Sequence, residues 1–226
     1  MSMLIENYIE LFNYQIIILY FILSFVIGSV PFGLIITKIS GYGDIRKIGS
    51  GNIGATNVFR TGNKCIALLT LLLDISKSLF ILYLAKINFQ NILDQELLTT
   101  LFVTIALLSL LGHMFSPVLS FKGGKGIATS AGILFFFNWI GAIIALIIWL
   151  IVVLKYKTSS LGALSTSILS PLIFWFLYEV GLTENLLNLP KTSIIEIYLI
   201  LLITCLIWIK HIPNIKRIIK GKENKI

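Results

Sequence analysis

Charge is what this sequence has least of. Only 12% of its 226 residues are Asp, Glu, Lys or Arg, against 57% hydrophobic, a balance that excludes a water-soluble globular domain, where charge runs to about 25%. Histidine and cysteine are as thin, two of each. Cys65 and Cys205 are far apart, each in or beside an apolar run, so no disulfide framework is expected. No His, Asp or Glu ligand set clusters in the sequence, and neither a metal nor a cofactor is expected. The N-terminal "MSMLIENYIELFNY" holds two glutamates and no Lys or Arg occurs before Lys38, so the basic n-region of a cleaved signal peptide is missing and the first apolar run should be permanent. Short alternating segments with polar turns, the mark of a membrane β-barrel, are missing as well.

What is present is a series of long apolar runs, and they point to an all-α, polytopic integral membrane helix bundle. Hydropathy marks segments near 15–39, 66–87, 97–115, 127–154, 161–182 and 194–209, most of them near the roughly 20 residues of a spanning helix. Positive charge collects between them: Arg46, Lys47, Arg60 and Lys64; Lys122 and Lys125; Lys155 and Lys157; then Lys210, Lys216, Arg217, Lys220, Lys222 and Lys225. All four groups belong on the cytoplasmic side. A single span over 127–154 would put Lys155 and Lys157 outside; a short arm over about 127–138, turning near Asn138 and returning through 139–154, keeps them inside. The expectation is therefore seven membrane segments, one of them short, with the N-terminus outside and the C-terminus cytoplasmic. Asp94, Glu96 and Glu184 then fall in outer loops, with Lys86 and Lys191 as outer cations. Without a repeat or soluble linker, residues 1–226 read as a single membrane-embedded domain. The +8 net charge is explained by this sidedness; no basic helix interleaved with exposed aromatics suggests nucleic acid.

Two inner loops stand out. In "KIGSGNIGATNVFR" (47–60), Gly49, Gly51 and Gly54 satisfy G-x-G-x-x-G, but without a strand before it or a βαβ unit around it the motif is no dinucleotide fingerprint. Its local chemistry is that of an anion nest: glycines free backbone N–H groups to converge, Ser50, Asn52, Thr56 and Asn57 add short polar groups, and Arg60 adds a guanidinium. A plain Asn/Gly turn has the same composition. In "SFKGGKGIATS" (120–130), Lys122 and Lys125 bracket Gly123 and Gly124, and Gly126 leads into a helix. Walker A is not satisfied, since Gly126 follows Lys125, yet the mechanics are those of a phosphate cradle. Positive-inside anchoring accounts for the lysines equally well.

Both histidines fall at inner ends of spans. His113 leads into the second loop and His211 opens "HIPNIKRIIKGKE" (211–223). Val118 and Lys216 occupy the positions five beyond them, so the H-x-x-x-x-D signature of the soluble-type glycerolipid acyltransferases is absent. Ser159 and Ser160 open a span, where N-capping is the simplest role. Asp74 and Lys77, three apart inside a span, either neutralise one another or act in function. Pro31 in "GSVPFG" should kink or end the first span.

Taken together, "DIRKIGSGNIGATNVFRTGNK", "GHMFSPVLSFKGGKGIAT" and "HIPNIKRIIKGKE" make the chain resemble the bacterial membrane acyl-phosphate:glycerol-3-phosphate acyltransferases, from Gly28 onward. The resemblance implies a seven-helix enzyme of the bacterial inner membrane whose active site faces the cytoplasm. It implies transfer of a fatty acyl group from acyl phosphate to the 1-position of glycerol 3-phosphate, giving lysophosphatidic acid and inorganic phosphate, and a functional link to an enzyme that forms acyl phosphate. Carried onto matching positions, Ser50, Arg60, Lys122, Lys125, Ser160, His211 and Asn214 are the implied catalytic set. The two glycine loops, Gly49, Gly51, Asn52, Gly54, Thr56 and Asn57 in one and Gly123, Gly124 and Gly126 in the other, with His113, complete the phosphate-binding set. Ile53 departs from the family's usual proline.

An acyl phosphate is already activated, so direct attack by the acceptor hydroxyl is expected, without an acyl-enzyme. Either His211 or a substrate phosphate oxygen takes the proton. The rival from another class is an organic-phosphate transporter or channel, whose anion-binding loops would look similar.

Overall fold

The computed structural model of the chain describes residues 2–181 and 193–226, so Glu184 and Lys191 lie outside the described residues. Every regular element among the described residues is helical. The α-helices in chain order are α1 (Ser2–Asn13), α2 (Gln15–Ser29), α3 (Phe32–Ile39), α4 (Ala55–Phe59), α5 (Lys64–Phe89), α6 (Gln95–Met114), α7 (Ile127–Phe137), α8 (Trp139–Tyr156), α9 (Ser159–Val180), α10 (Ile194–Lys210) and α11 (Ile212–Ile219), with short 3-10 helices at Ile45–Lys47 and Pro117–Leu119.

Among the described residues four helices, α5, α6, α8 and α9, are long and apolar enough to cross a membrane, and up to six spans result if the bent pairs α1/α2 and α10/α11 each count as one. Helix starts are capped from the sequence: Asn63 accepts from the Ile66 amide (3.1 Å), Asp94 from Glu96 and Leu97 (3.0 and 2.9 Å), and Asn138 from Ile140 and Gly141 (both 3.1 Å). Each cap satisfies amides that a helix N-terminus leaves without partners. Large apolar side chains face outward all along the bundle, among them Ile22, Leu72, Phe80, Leu150, Leu172 and Phe176. Water would not tolerate so continuous an apolar surface; lipid requires it.

Lipid is as apolar as a leucine, so helix association must come from close packing. The α2/α6 crossing shows how. A Cβ on Gly28 would collide with the Ser109 carbonyl, and one on Gly112 with the Phe25 carbonyl, so each glycine admits the other helix's backbone. Leu101, Ile105, Leu110 and Met114 of α6 then pack with Ile81 and Leu82 of α5 and Ile133 of α7 in the main core.

The first apolar run is two helices. Pro31 ends α2, and the carbonyls left near the break find side-chain donors: the Ser116 hydroxyl on Ser29 (2.7 Å) and the Lys77 ammonium near Val30 (3.5 Å). The N-terminal arm is itself helical, which its sequence did not announce. It bends 104° from α2, and Asn7 and Tyr8 bond to Glu96 and Thr104 of α6 (both 3.0 Å). The 127–154 run breaks at Asn138. The start of α7 and the end of α8 lie at one end of the bundle, with Lys125 in the electrostatic field of Glu223 and the Lys157 carbonyl bonded to the Ile226 amide (2.9 Å), so the chain reverses between them.

Candidate active site

The four cationic segments converge at that end. In the first loop the organiser is Asn57, buried on short α4. Its Oδ1 accepts from the Ser50 amide (2.9 Å), the Ser50 hydroxyl (3.2 Å) and Arg60 Nη1 (3.2 Å). Its Nδ2 donates to the carbonyls of Ile45 (3.0 Å), Ile48 (2.9 Å) and Asn52 (2.8 Å). Gly49 takes φ +54° there, and a Cβ would lie 2.5 Å from Asn57 Oδ1 and 2.8 Å from Arg60 Cδ, so no other residue fits without displacing both. Gly51 turns the chain at φ +71° and Gly54 is the N-cap of α4. Ile53 is buried with Leu34, Ile45 and Val58, anchoring the loop from below.

The second loop leaves α6 at His113. Lys122 is exposed at its edge; Gly124 is buried, with its amide donating to the His113 carbonyl (3.0 Å); Gly123 abuts the backbone of His113 and Met114; Gly126 takes φ +84° at the N-cap of α7. His113 sits beneath this loop, buried, with its ring on Lys77. Lys210, at the end of α10, donates to the Met114 carbonyl (2.7 Å) and so ties that helix to the loop's base.

The third component corrects a sequence expectation. Ser159 and Ser160 do not cap α9, whose N-cap is Thr158 with no side-chain bond. Both hydroxyls instead make long-range contacts: Ser159 meets Thr56 (3.0 Å), and Ser160 donates to Glu223 Oε1 (2.9 Å). The same Glu223 carboxylate accepts from Asn214 Nδ2 (2.6 Å) and Arg217 Nε (2.7 Å). Arg60 Nη2 reaches the Asn224 and Lys225 carbonyls (both 3.5 Å), so the chain's last residues cross from α11 to the first loop.

The charges in this cluster act on one another. Burial pushes Lys125 down to about 8, with Glu223 pulling it back up and Arg217 and Arg60 pushing further down. Burial and then the Lys125 charge push His211 down to about 4, so its ring is neutral near pH 7. For Glu223 burial acts upward, but the hydrogen bonds from Arg217, Asn214 and Ser160 outweigh it and keep the group an anion below the usual range. Burial lowers Arg60, which stays a permanent cation. The buried His211 ring stands Nδ1 to carbonyl with Ile207 (2.8 Å); because a carbonyl only accepts, Nδ1 carries the proton and Nε2 is the free lone pair. Among the described residues no three His, Cys, Asp or Glu side chains gather as a metal would need.

Thus Ser50, Asn57 and Arg60 form one connected group, Ser160 and Asn214 another on Glu223, and Arg60, Lys125 and His211 are joined to the second by charge. Residues 18–221 match the protein family described as glycerol-3-phosphate acyltransferase. The chain belongs to that family. A glycerol-3-phosphate acyltransferase of Ehrlichia canis is 45% identical over 205 residues, 91% of this chain and 96% of that one, and one of Bartonella henselae is 40% identical over 209 residues, 92% and 90%. Among solved structures, PlsY (YgiH), an integral membrane glycerol 3-phosphate acyltransferase, is similar in its glycerol 3-phosphate form at TM-score 0.78 and 31% identity, covering 93% of this chain and 95% of that one. Its lysophosphatidic acid form gives TM-score 0.75 at 30% identity. Within this acyltransferase fold, sequence reasoning passed over Glu223 and Arg217. One signal was available: Glu223 is the only acid in a tail with Lys210, Lys216, Arg217, Lys220, Lys222 and Lys225.

Proposed function

We propose that the protein transfers a fatty acyl group from acyl phosphate to the 1-hydroxyl of glycerol 3-phosphate, releasing lysophosphatidic acid and inorganic phosphate, the first acylation of phospholipid synthesis. The observation that carries this reading is the meeting of Arg60, Lys125, Ser160, His211 and Asn214, drawn from four separate segments, around one carboxylate. Donors that gather on a carboxylate are suited to phosphate oxygens, and two anionic substrates need such a density of cations and N–H groups to approach each other.

In the reaction the acceptor oxygen attacks the acyl carbonyl carbon, the carbon–oxygen bond to phosphate breaks, and phosphate leaves with that electron pair. No covalent enzyme intermediate is required, because the donor is a mixed anhydride. The acceptor's proton goes to His211 Nε2 or to a phosphate oxygen. His211 is held in the tautomer that presents Nε2 as an acceptor, and its basicity rises as the substrates' negative charge enters. Arg60 and Lys125 neutralise phosphate, Lys122 draws anions toward the loop, Ser50, Ser160 and Asn214 orient oxygens, and the glycine loops supply backbone amides.

In the same reading the chain is one domain of seven membrane segments with its N-terminus outside and this end of the bundle in the cytoplasm of a bacterial inner membrane. The acyl tail lies among the apolar helices, and an acyl-phosphate-forming enzyme supplies the donor. The test is purified protein in detergent with palmitoyl phosphate and glycerol 3-phosphate. Equal amounts of phosphate and lysophosphatidic acid, dependent on the acceptor and unsupported by acyl-CoA, are expected. Folded, lipid-supplemented protein that makes no product overturns the reading and directs attention to glycerol 3-phosphate uptake in liposomes.

A further inference from the structure

An ion pair is buried in the bundle beside the second loop. Lys77 Nζ lies 2.9 Å from Asp74 Oδ1 on α5, with side chains 1% and 3% exposed. Such a pair is no aid to stability that two apolar residues would not match, since the desolvation of two ions offsets their attraction. Its contacts give it another use. The third neighbour of the pair is His113 of α6, whose Nδ1 lies 2.6 Å from Lys77 Nζ, and the Val30 carbonyl at the α2/α3 break lies 3.5 Å from the same ammonium. Three acceptors thus face three N–H donors.

An ammonium only donates, so His113 Nδ1 is the acceptor. A doubly donating imidazolium would face a cation at hydrogen-bond distance, so the ring is neutral and its one proton sits on Nε2. That edge of the ring is turned to the glycine loop. A Cβ on Gly124 would run into His113 Nε2 and Cε1, while the Gly124 amide is bonded to the His113 carbonyl. Backbone and ring of one residue therefore shape the loop from beneath, and the ring's orientation comes from Lys77, which Asp74 fixes in turn.

We infer that Asp74 and Lys77 are positioning residues for acyl transfer, which hold the His113 ring with its Nε2–H toward the 122–126 loop and thereby set the loop to receive a substrate phosphate. This rests on the reading of that loop as a phosphate cradle.

The presence of only two histidines makes the test direct. Nitrogen-15 histidine spectra of the wild-type protein in detergent should show two opposite neutral tautomers, Nδ1–H for His211 and Nε2–H for His113, with a His211→Asn variant assigning the signals. The Asp74→Asn/Lys77→Met double variant removes both charges and leaves no orphaned ion. It should lose the pure Nε2–H signature, and the KM for one of the two phosphate substrates should rise by about tenfold, with kcat nearly unchanged, as expected when binding geometry alone is lost. Unchanged KM for both substrates overturns the inference whatever the spectrum shows. If the double variant does not fold, the wild-type spectrum decides: an Nδ1–H tautomer at His113 overturns the proposal, and an Nε2–H tautomer supports it. A wild-type protein without turnover would refute the acyltransferase reading separately, with the tautomer assignment still standing.

Discussion

The two glycine loops lie at the same end of the bundle with similar compositions, yet they are held in different ways. The first is braced from within: Asn57, seven residues beyond Ser50, ties the amide and hydroxyl of Ser50, three loop carbonyls and Arg60 into one knot. The second is braced from outside, on a histidine that a lysine thirty-six residues earlier in the sequence orients. A loop that carries its own scaffold can be rigid wherever it is placed. One that rests on neighbouring helices takes its shape from the bundle, so helix packing reaches its chemistry directly.

The largest effect should come where the first loop ends in charge. Arg60 contacts Asn57 and the Asn224 and Lys225 carbonyls, and among the described residues no other guanidinium is bonded into this loop's knot. Arg60→Ala should lower kcat/KM by about 10²–10³-fold, the loss typical of a group that stabilises developing charge. Arg60→Lys should recover little of it, because an ammonium lacks the planar fork. Activity near wild type in Arg60→Ala would remove Arg60 from the site.

The comparison itself is broken by attacking each scaffold. Asn57→Ala leaves several buried polar groups without partners, each costing about 1–3 kcal/mol, so both stability and turnover should fall, with the His113 nitrogen signals unchanged. Gly124→Ala drives a methyl group into the His113 ring. It should reduce kcat/KM by about 10²-fold, the scale of a small misplacement near the reacting atoms, and it should shift the His113 signals. Identical traces from the two variants would mean that the loops share one scaffold after all.

A smaller effect follows from the charge of the second loop. Burial disfavours the charged form of Lys125 and pushes its pKa down to about 8, well below that of an ordinary lysine. Below that pH it is a cation, which in the proposed reading holds anionic substrate; above it the charge is lost. Accordingly kcat/KM should fall about tenfold per unit above pH 8, since this ratio reports the free enzyme. Lys125→Arg should remove the fall by keeping the cation at every accessible pH. A profile flat to pH 10 in the wild-type protein would show that Lys125 does not govern binding.

The same contrast explains what could be read from the sequence. The apolar runs, the clustering of cations at one end, the turn at Asn138 and the break at Pro31 are local properties, and each has its counterpart in the structure. The first loop's residues were visible because they lie within a dozen positions of one another. The Lys77–His113 contact, the Ser160–Glu223 bond and the helical α1 laid on α6 depend on segments far apart in the chain, which periodicity and propensity do not encode. The capping role expected of Ser159 and Ser160 failed by one register position: they are the first two residues inside α9, the flanking N-cap is Thr158, and their hydroxyls are left for distant partners.

Thr56 offers the finest test of how far the first loop depends on its neighbours. Its hydroxyl pairs with Ser159 at 3.0 Å, joining the loop to the start of α9 one residue before Ser160. Because the pair is only part-buried, water can replace either partner, and a net worth of about 0.5–1.5 kcal/mol is the ordinary range. If the loop is self-braced through Asn57, Thr56→Val should leave the first loop intact and lower kcat/KM by only about two- to fivefold, through a less constrained Ser160. The Thr56→Val/Ser159→Ala double variant should then do no more damage than either single change, the non-additivity expected of two groups that meet only each other. Additive losses would show that each hydroxyl serves a separate partner, and that the first loop is tied to α9 by more than this one bond.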